Sequence, residues 1–307
     1  METALTYKIS ILLLLVPFFG VAKRNDWNRD NLKGKVVSFT EVAYRLEKQN
    51  NRFIKSIKAW QYMEYDTKSI YDFQGNKVEE LFFGYDGGVE KRCVYSFNKD
   101  NLPTTNLCYD RQGTIRHKTC YDYNEQNCLV SKTCWREDTL FSKSDYRYNT
   151  EFQLKEVKVR YYYSQKMNHT MPEWSDKGAS VSFYYYDEKA TLYERIEYKR
   201  KDSLTIEVRY NGNGKIIGRN FCTYDDHGHE LDYSSYDYDE QTQEQHLSEY
   251  DPYGNIMESY WFTDDGDIMN YHSYSYEYDA YGNWTKQYIT NDDQFYYLVE
   301  REYSYEE

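Results

Sequence analysis

One hexapeptide recurs along this chain and constrains its fold more than any other feature. It reads "YDFQGN" at 71–76, "YDPYGN" at 250–255 and "YDAYGN" at 278–283, with eroded copies "YDRQGT" (109–114) and "YDDHGH" (224–229). The opening tyrosines Tyr224, Tyr250 and Tyr278 are 26 and 28 residues apart, and Tyr198 and Tyr305 extend the series by 26 and 27. A fixed period in this range marks a repeat architecture, in which each unit buries its face only against its neighbours.

The unit has a mechanical reading. Asp opens a type I turn, its carboxylate accepting from a backbone N–H two residues on. Gly supplies the left-handed residue of a bulged hairpin loop. Asp279 to Gly282 should therefore be a hairpin tip with Asp279 opposite Asn283, and the same holds for Asp251 to Gly254 and Asp72 to Gly75. Looser turns lie half a period away, at "YDGG" (85–88), "YNGNGK" (210–215) and "TDDGD" (263–267). Each repeat is then two strands and two turns.

Period-two alternation places Tyr274, Tyr276 and Tyr278 on one strand face and Ser273, Ser275 and Glu277 on the other. Counting across the turn puts Trp284 opposite Tyr278, Lys286 opposite Tyr276 and Tyr288 opposite Tyr274, and the next turn puts Tyr274 opposite Ile256. The tyrosines read as a core of cross-strand aromatic pairs. Composition demands this, because the chain has 38 tyrosines and few aliphatic residues. The expected fold is all-β: an antiparallel meander of repeated β-hairpins forming an elongated, twisted or curled sheet.

The turn motifs "YDFQGN", "YDPYGN" and "YDAYGN", with tyrosine-rich strands between them, resemble the YD-repeat or RHS-like family of exported bacterial proteins. The resemblance covers residues 60–307, and "NLKGKVVSFTEVAYRL" (31–46) resembles the lead-in strand of short exported members. It implies a sheet that curls as repeats accumulate, and roles in surface binding or, in giant members, a shell around a toxin. This chain has few repeats and ends within one, so a cargo shell is not expected.

The organisation follows. Residues 1–22 read as a signal peptide: Lys8 precedes the apolar run 9–22, which is short, interrupted by Pro17 and ends in Gly20-Val21-Ala22. Such a segment directs export, with cleavage near Ala22 and no membrane span in the mature chain. Residues 23–60 form a lead-in segment, with one strand at 35–46 and a loop or short helix at 47–58. Residues 61–163 form a first hairpin array, 164–180 an irregular loop around Pro172 and Gly178, and 181–307 a second array. Six cysteines in an exported chain point to one or two structural bridges around 108–134, with partners open.

Net charge of −13 argues against nucleic acid and anionic membranes as partners. His227, His229 and the adjacent Asp225 and Asp226 have the look of a metal site, but the turn motif accounts for them. The same holds for Asp264, Asp265 and Asp267 and calcium, whose twelve-residue loop is missing. No catalytic motif is present, so no enzymatic activity and no cofactor are expected. The candidate ligand-binding residues are Tyr253 and Tyr281, equivalent positions on successive tips, and Trp261 with Tyr271, which counting places on the polar face. The expected function is non-catalytic binding of a glycan at the cell envelope or surface. The alternatives are a scaffold docking an envelope protein through a strand edge or the acidic face, and a secreted hydrolase.

Overall fold

The computed structural model describes residues 25–50, 52–58, 65–163, 166–174, 180–187, 189–291 and 295–306. The expected signal peptide lies outside the described residues. A short helix, α1 (Asp26–Arg29), is capped by the Asn25 side chain. It leads into β1 (Val36–Gln49), β2 (Arg52–Lys58) and β3 (Asp66–Tyr71). The meander continues through β4 (Lys77–Phe83), β5 (Val89–Phe97), β6 (Pro103–Asp110), β7 (Ile115–Tyr123), β8 (Leu129–Arg136) and β9 (Thr139–Tyr148). Then come β10 (Leu154–Tyr161), β11 (Lys166–Trp174), β12 (Ser180–Tyr186), β13 (Leu192–Lys201), β14 (Leu204–Asn211) and β15 (Ile216–Tyr224). It ends with β16 (Glu230–Asp237), β17 (Thr242–Tyr250), β18 (Ile256–Phe262), β19 (Ile268–Tyr278), β20 (Trp284–Asn291) and β21 (Phe295–Tyr305).

The sheet does not stay open. β1 pairs with β21 from Val36↔Tyr305 to Leu46↔Tyr296, and on its other side with β3 from Ser38↔Ile70 to Glu41↔Thr67. The last strand is thereby joined to the first, and the wall closes as a 20-strand antiparallel barrel. The expectation of an elongated, twisted or curled sheet is corrected by this closure. The physical cause is β1 itself, whose 14 residues reach far enough to pair with β21 along one side and with β3 and then β2 along the other. Among the described strands only β2 has a ladder on one side alone, so an edge-docking surface of the kind an open sheet offers is largely abolished.

Two further expectations are corrected. Residues 47–58 are neither loop nor helix: β1 runs on to Gln49 and turns back into β2 at Asn50, which adopts φ 49°. Most of the expected irregular loop 164–180 is β11. Proline is tolerated there because the ladder from β10 ends at Val157↔Thr170, so Pro172 stands beyond it and no N–H is missed on that side. Pro172 pairs with Phe183 of β12 on the other side.

The turns form as their sequence demands. Asp251 Oδ1 accepts from the N–H groups of Tyr253 (2.9 Å) and Asn255 (2.8 Å), and Asp279 Oδ1 from those of Tyr281 and Asn283 (both 2.9 Å). Gly254 and Gly282 take φ of 85° and 88°, where a Cβ would be strained. One pair inside each such tip a second irregularity appears. Tyr278 faces Trp284, but Glu277 faces Lys286, so Thr285 is an extra residue. The same slip follows Tyr71, Tyr123, Tyr148, Tyr224 and Tyr250.

This bulge corrects the counted register. Tyr276 faces Gln287 and Tyr274 faces Ile289, while Lys286 and Tyr288 lie on the opposite face with Glu277 and Ser275. The slip between Phe262 and Ile268 likewise leaves Glu258 facing Ser273, so Tyr274 does not meet Ile256. The tyrosines are instead tied to backbone. Hydroxyls of Tyr123, Tyr148, Tyr250, Tyr276 and Tyr303 donate to the carbonyls of Pro103 (2.9 Å), Leu129 (3.0 Å), Glu230 (2.9 Å), Ile256 (2.7 Å) and Trp284 (3.0 Å). Each acceptor is the first bulge residue of the preceding repeat on the same rim. Tyrosine recurs because one side chain both packs its ring on the wall and satisfies the carbonyl that the bulge removes from the ladder.

Chirality decides which face lines the lumen. For an L-residue on an upward strand with its side chain toward the viewer, N–H and C=O point right. The N–H of Tyr224, on the tyrosine face, points back to Ser203 before β14. Seen from that face, with the Asp251 and Asp279 tips uppermost, strand number therefore increases to the left. Walking across the ladders from Ser96 through Thr105, Cys120, Thr133 and Lys143 to Arg160 descends from that rim to the other. Barrel strands coil right-handed about the axis, so such a walk descends only when it runs rightward as seen from outside. The tyrosine face is the inner one. Burial agrees, since Val36, Phe39, Tyr71, Val157, Phe183, Tyr198, Ile289 and Val299 all lie on it and are buried.

The inner face carries the single bridge among the described cysteines, Cys93–Cys108, at facing positions of β5 and β6. Cys108 lies in the expected region and Cys93 upstream of it. At the seam, Arg301 of β21 donates to Glu41 of β1 (2.5 Å) and lies over the Trp284 ring at 3.8 Å and the Phe39 ring at 4.6 Å.

Candidate functional site

The four ligand-binding residues expected from sequence do not form one site. Tyr253 and Tyr281 sit on adjacent tips of one rim, but each ring lies sideways across the next turn. Tyr253 packs on Tyr278 (4.6 Å between ring centres) and covers Gly282; Tyr281 stacks on Tyr305 (4.2 Å) and covers Gly34. The turns are shingled, and the glycine in each gives the neighbouring ring its seat. The two tyrosines remain 48% and 57% exposed, so half of each ring surface still faces solvent. The lead-in segment crosses this rim. Asn31 donates to the Tyr253 carbonyl (2.9 Å), and Lys33 N–H donates to Asn283 Oδ1 (2.7 Å), whose Nδ2 returns a bond to the Lys33 carbonyl (2.8 Å).

Trp261 and Tyr271 are separated by the wall. The bulge between Phe262 and Ile268 makes Trp261 face Asn270, not Met269. Trp261 therefore looks into the lumen with the tyrosine ladder, correcting its placement on the polar face. Tyr271 looks outward against Tyr260 (4.9 Å), its hydroxyl donating to Glu258 (3.1 Å).

The environment of Trp261 is the most chemically varied part of the described inner face. β17, β18 and β19 present His246 and Ser248, Ser259 and Trp261, and Asn270, His272 and Tyr274 side by side. His246 stacks on the indole at 4.7 Å, His272 meets it edge-on at 5.1 Å, and Tyr274 meets His272 edge-on at 6.2 Å. Among the described residues, Ser259 Oγ and Asn270 Oδ1 are buried with no hydrogen-bond partner. A buried polar atom left unpaired costs roughly 1–3 kcal/mol, so the two beside one indole gain by turning toward an incoming polar group.

A polar row borders this shelf. His246 lies 3.2 Å from Ser248 Oγ through Nε2 and 3.8 Å from Glu230 through Nδ1; Cys222 Sγ donates to Glu230 (3.0 Å). Burial first, and the Glu230 carboxylate second, push the Cys222 thiol up to about 12, so it stays protonated at neutral pH. Ser248 is 5% exposed, which leaves its hydroxyl little approach. The row holds the His246 ring in orientation. His246, Ser259, Asn270 and His272 were missed from sequence because counting without the bulge sent Trp261 to the wrong face.

The outer wall carries paired charges within its strands. Glu156 accepts from His169 (2.7 Å) and Lys158 (3.2 Å), Lys143 pairs with Asp145 (3.3 Å), and Lys199 with Glu197 (3.0 Å). All of these lie within strands on the outward face. An Arg or Lys at bilayer mid-depth costs about 2–4 kcal/mol, and a spanning barrel needs an apolar band there. No helix among the described residues is long and apolar enough to cross a membrane.

No family model and no curated protein matches this chain, so its resemblance to YD-repeats stands on the turn motifs. Solved structures similar to it include a porin-like protein from Bacteroides uniformis, at 9% identity and a TM-score of 0.33, covering 89% of this chain and 98% of that one. Another is TcdB2-TccC3 without its hypervariable C-terminal region, at 10% identity and a TM-score of 0.18, covering 78% of this chain and 20% of that one. Similarity at this level carries no functional weight.

Proposed function

We propose that the chain is an exported, non-catalytic binding protein of the envelope or cell surface, and that its lumen takes a glycan at the Trp261 shelf. The observation that carries this reading is an indole on the inner wall beside two buried polar atoms, Ser259 Oγ and Asn270 Oδ1, that lack partners among the described residues. An aromatic ring offers a flat apolar surface for the C–H face of a sugar, and side-chain oxygens fix its hydroxyls. Barrels of about 16–18 strands can enclose an aqueous channel, and the 20 strands of this wall support the same reading here. The charged outer wall supports a barrel standing in water. Export rests on the signal-like segment at 9–22.

The test is a glycan array with the intact chain, followed by titration of any hit with tryptophan fluorescence. Trp261→Ala should weaken binding by about tenfold or more, the loss expected when a buried aromatic anchor is truncated. Tyr271→Ala, on the outer wall, should leave it unchanged. A silent array, or equal affinity for the Trp261 variant, overturns the proposal.

A further inference from the structure

One rim turn departs from its repeats at two positions together. Where the neighbouring tips carry Tyr253 and Asn255, and Tyr281 and Asn283, the turn at 225–229 carries His227 and His229. Its backbone is unchanged. Asp225 Oδ1 accepts from the N–H groups of His227 and His229 (both 2.8 Å), and Gly228 takes φ 89°. In the repeats, the Asn255 and Asn283 amides bond the tyrosine hydroxyl of the next repeat, and Asn255 also bonds its own turn aspartate. His229 keeps the link to the aspartate, its Nδ1 lying 2.7 Å from Asp225 Oδ2, and its ring stacks on Tyr250 at 4.8 Å. The opposite edge of the ring, with Nε2, lies against Gly254 of the next turn. His227 projects from the tip with 82% of its side chain exposed, its Nδ1 lying 3.9 Å from the same carboxylate oxygen.

We propose that this turn binds a divalent transition-metal ion of the zinc class between Asp225 Oδ2 and the Nδ1 atoms of His227 and His229. One donor atom from each of the three residues lies within 4.8 Å of the others. Metal–ligand bonds of about 2.0–2.1 Å in a tetrahedron put donors about 3.3 Å apart. The two distances from the carboxylate oxygen, 2.7 and 3.9 Å, fall on either side of that value. Small side-chain rotations bring all three onto one ion, replacing the Asp225–His229 hydrogen bond with two coordinate bonds. Two imidazoles and a carboxylate select zinc, copper or nickel over calcium or magnesium, which prefer all-oxygen sites. The fourth position stays open to solvent at the rim, so the ion is placed to take a ligand from outside. This site is distinct from the Trp261 shelf, and either can fail without the other.

The neighbouring repeats supply the control. His227→Tyr with His229→Asn restores the residues that already serve the other tips, so the turn should fold as they do. Zn²⁺ is titrated by calorimetry into the untagged chain and into this double variant, with Cu²⁺ and electron paramagnetic resonance as a second readout. One ion per chain should bind with micromolar affinity and show two nitrogen ligands with Cu²⁺. The double variant should lose about 100-fold or more in affinity, and zinc should raise the melting midpoint of the natural chain alone. Natural chain that binds zinc no better than millimolar, or a double variant that binds equally well, overturns the proposal.

Discussion

Replacing Tyr276 by Phe tests the claim that tyrosine recurs here for its hydroxyl as well as its ring. The substitution removes one oxygen and leaves the ring in place. Two bonds go: the donation to the Ile256 carbonyl (2.7 Å) and the acceptance from Gln287 Nε2 (2.9 Å). The bulge has withdrawn the Ile256 carbonyl from the ladder, and the Phe ring covers it without pairing with it. A net hydrogen bond is worth about 0.5–1.5 kcal/mol and a buried unpaired carbonyl costs about 1–3, so a loss of about 2 kcal/mol is expected. The control is Tyr288→Phe, whose hydroxyl donates to Glu277 (2.8 Å) on the exposed outer wall. A solvated contact of that kind should cost no more than about 0.5 kcal/mol. Urea unfolding measures both, and an unchanged m-value certifies that the denatured state is the same. Tyr148→Phe, which uncovers the Leu129 carbonyl elsewhere on the barrel, should add to Tyr276→Phe within about 0.5 kcal/mol. If Tyr276→Phe costs no more than Tyr288→Phe, the tyrosines are packing rings and the bulge-capping account is wrong.

The same hydroxyls predict sensitivity to base. Burial is the largest cause that pushes Tyr123, Tyr148 and Tyr276 up to about 12. A raised folded-state value stabilises fully below the unfolded value of about 10, and that stability is lost as pH rises from there through about 12. The tyrosinate absorbance that Tyr123→Phe, Tyr148→Phe and Tyr276→Phe each remove should therefore fall in that window and change together with far-UV circular dichroism; if the absorbance they remove rises near pH 10 with the fold intact, the account is refuted. At the seam, Arg301→Met leaves the Glu41 carboxylate without the guanidinium it accepts from, and removing one partner of a largely buried pair costs about 3–5 kcal/mol. Glu41→Met with Arg301→Met should recover most of that loss. Thermal melts and amide exchange across β1 and β21 read it, and a cost below about 1 kcal/mol for Arg301→Met would show that the pair does not hold the seam.

Local structure was legible where a residue acts through its own backbone. Asp279, Gly282 and Asn283 announced a turn, and the turn formed with the carboxylate accepting as expected. Alternation put Tyr274, Tyr276 and Tyr278 on one face, and they share it. What failed was the sum over several turns. A bulge adds one residue and leaves no mark in composition: Thr285 looks like any strand residue. Because the side-chain period is two, one uncounted residue moves everything beyond it to the opposite face. That single error misplaced Lys286, Tyr288 and Trp261, and hid His246, His272, Ser259 and Asn270 as one shelf. Closure was illegible for a different reason. It depends on Val36 meeting Tyr305 across 269 positions of sequence, and a repeat pattern describes only nearest neighbours. The hint that was present is the length of β1, long enough to serve partners on both sides.

The bulges and the closure are connected. A meander with perfectly matched strands gains no shear as it proceeds, and a barrel cannot close without it. Each tip bulge advances the register by one residue and sharpens the local twist. Repeated around the wall, these steps tilt the strands until the last meets the first. Each step also costs a carbonyl its ladder partner, and at five of them a tyrosine from the following repeat supplies the replacement. The tyrosine content, the degenerate YD spacing and the closed wall are thus one arrangement. A repeat that lost its bulge would carry a register error to the seam, where Glu41 and Arg301 could no longer face each other. Variation is tolerated where it leaves the bulge and its cap alone, which is why the mid-turn positions hold Tyr253, Tyr281 or His227 on the same backbone. Those positions are free to carry chemistry because the fold asks so little of them.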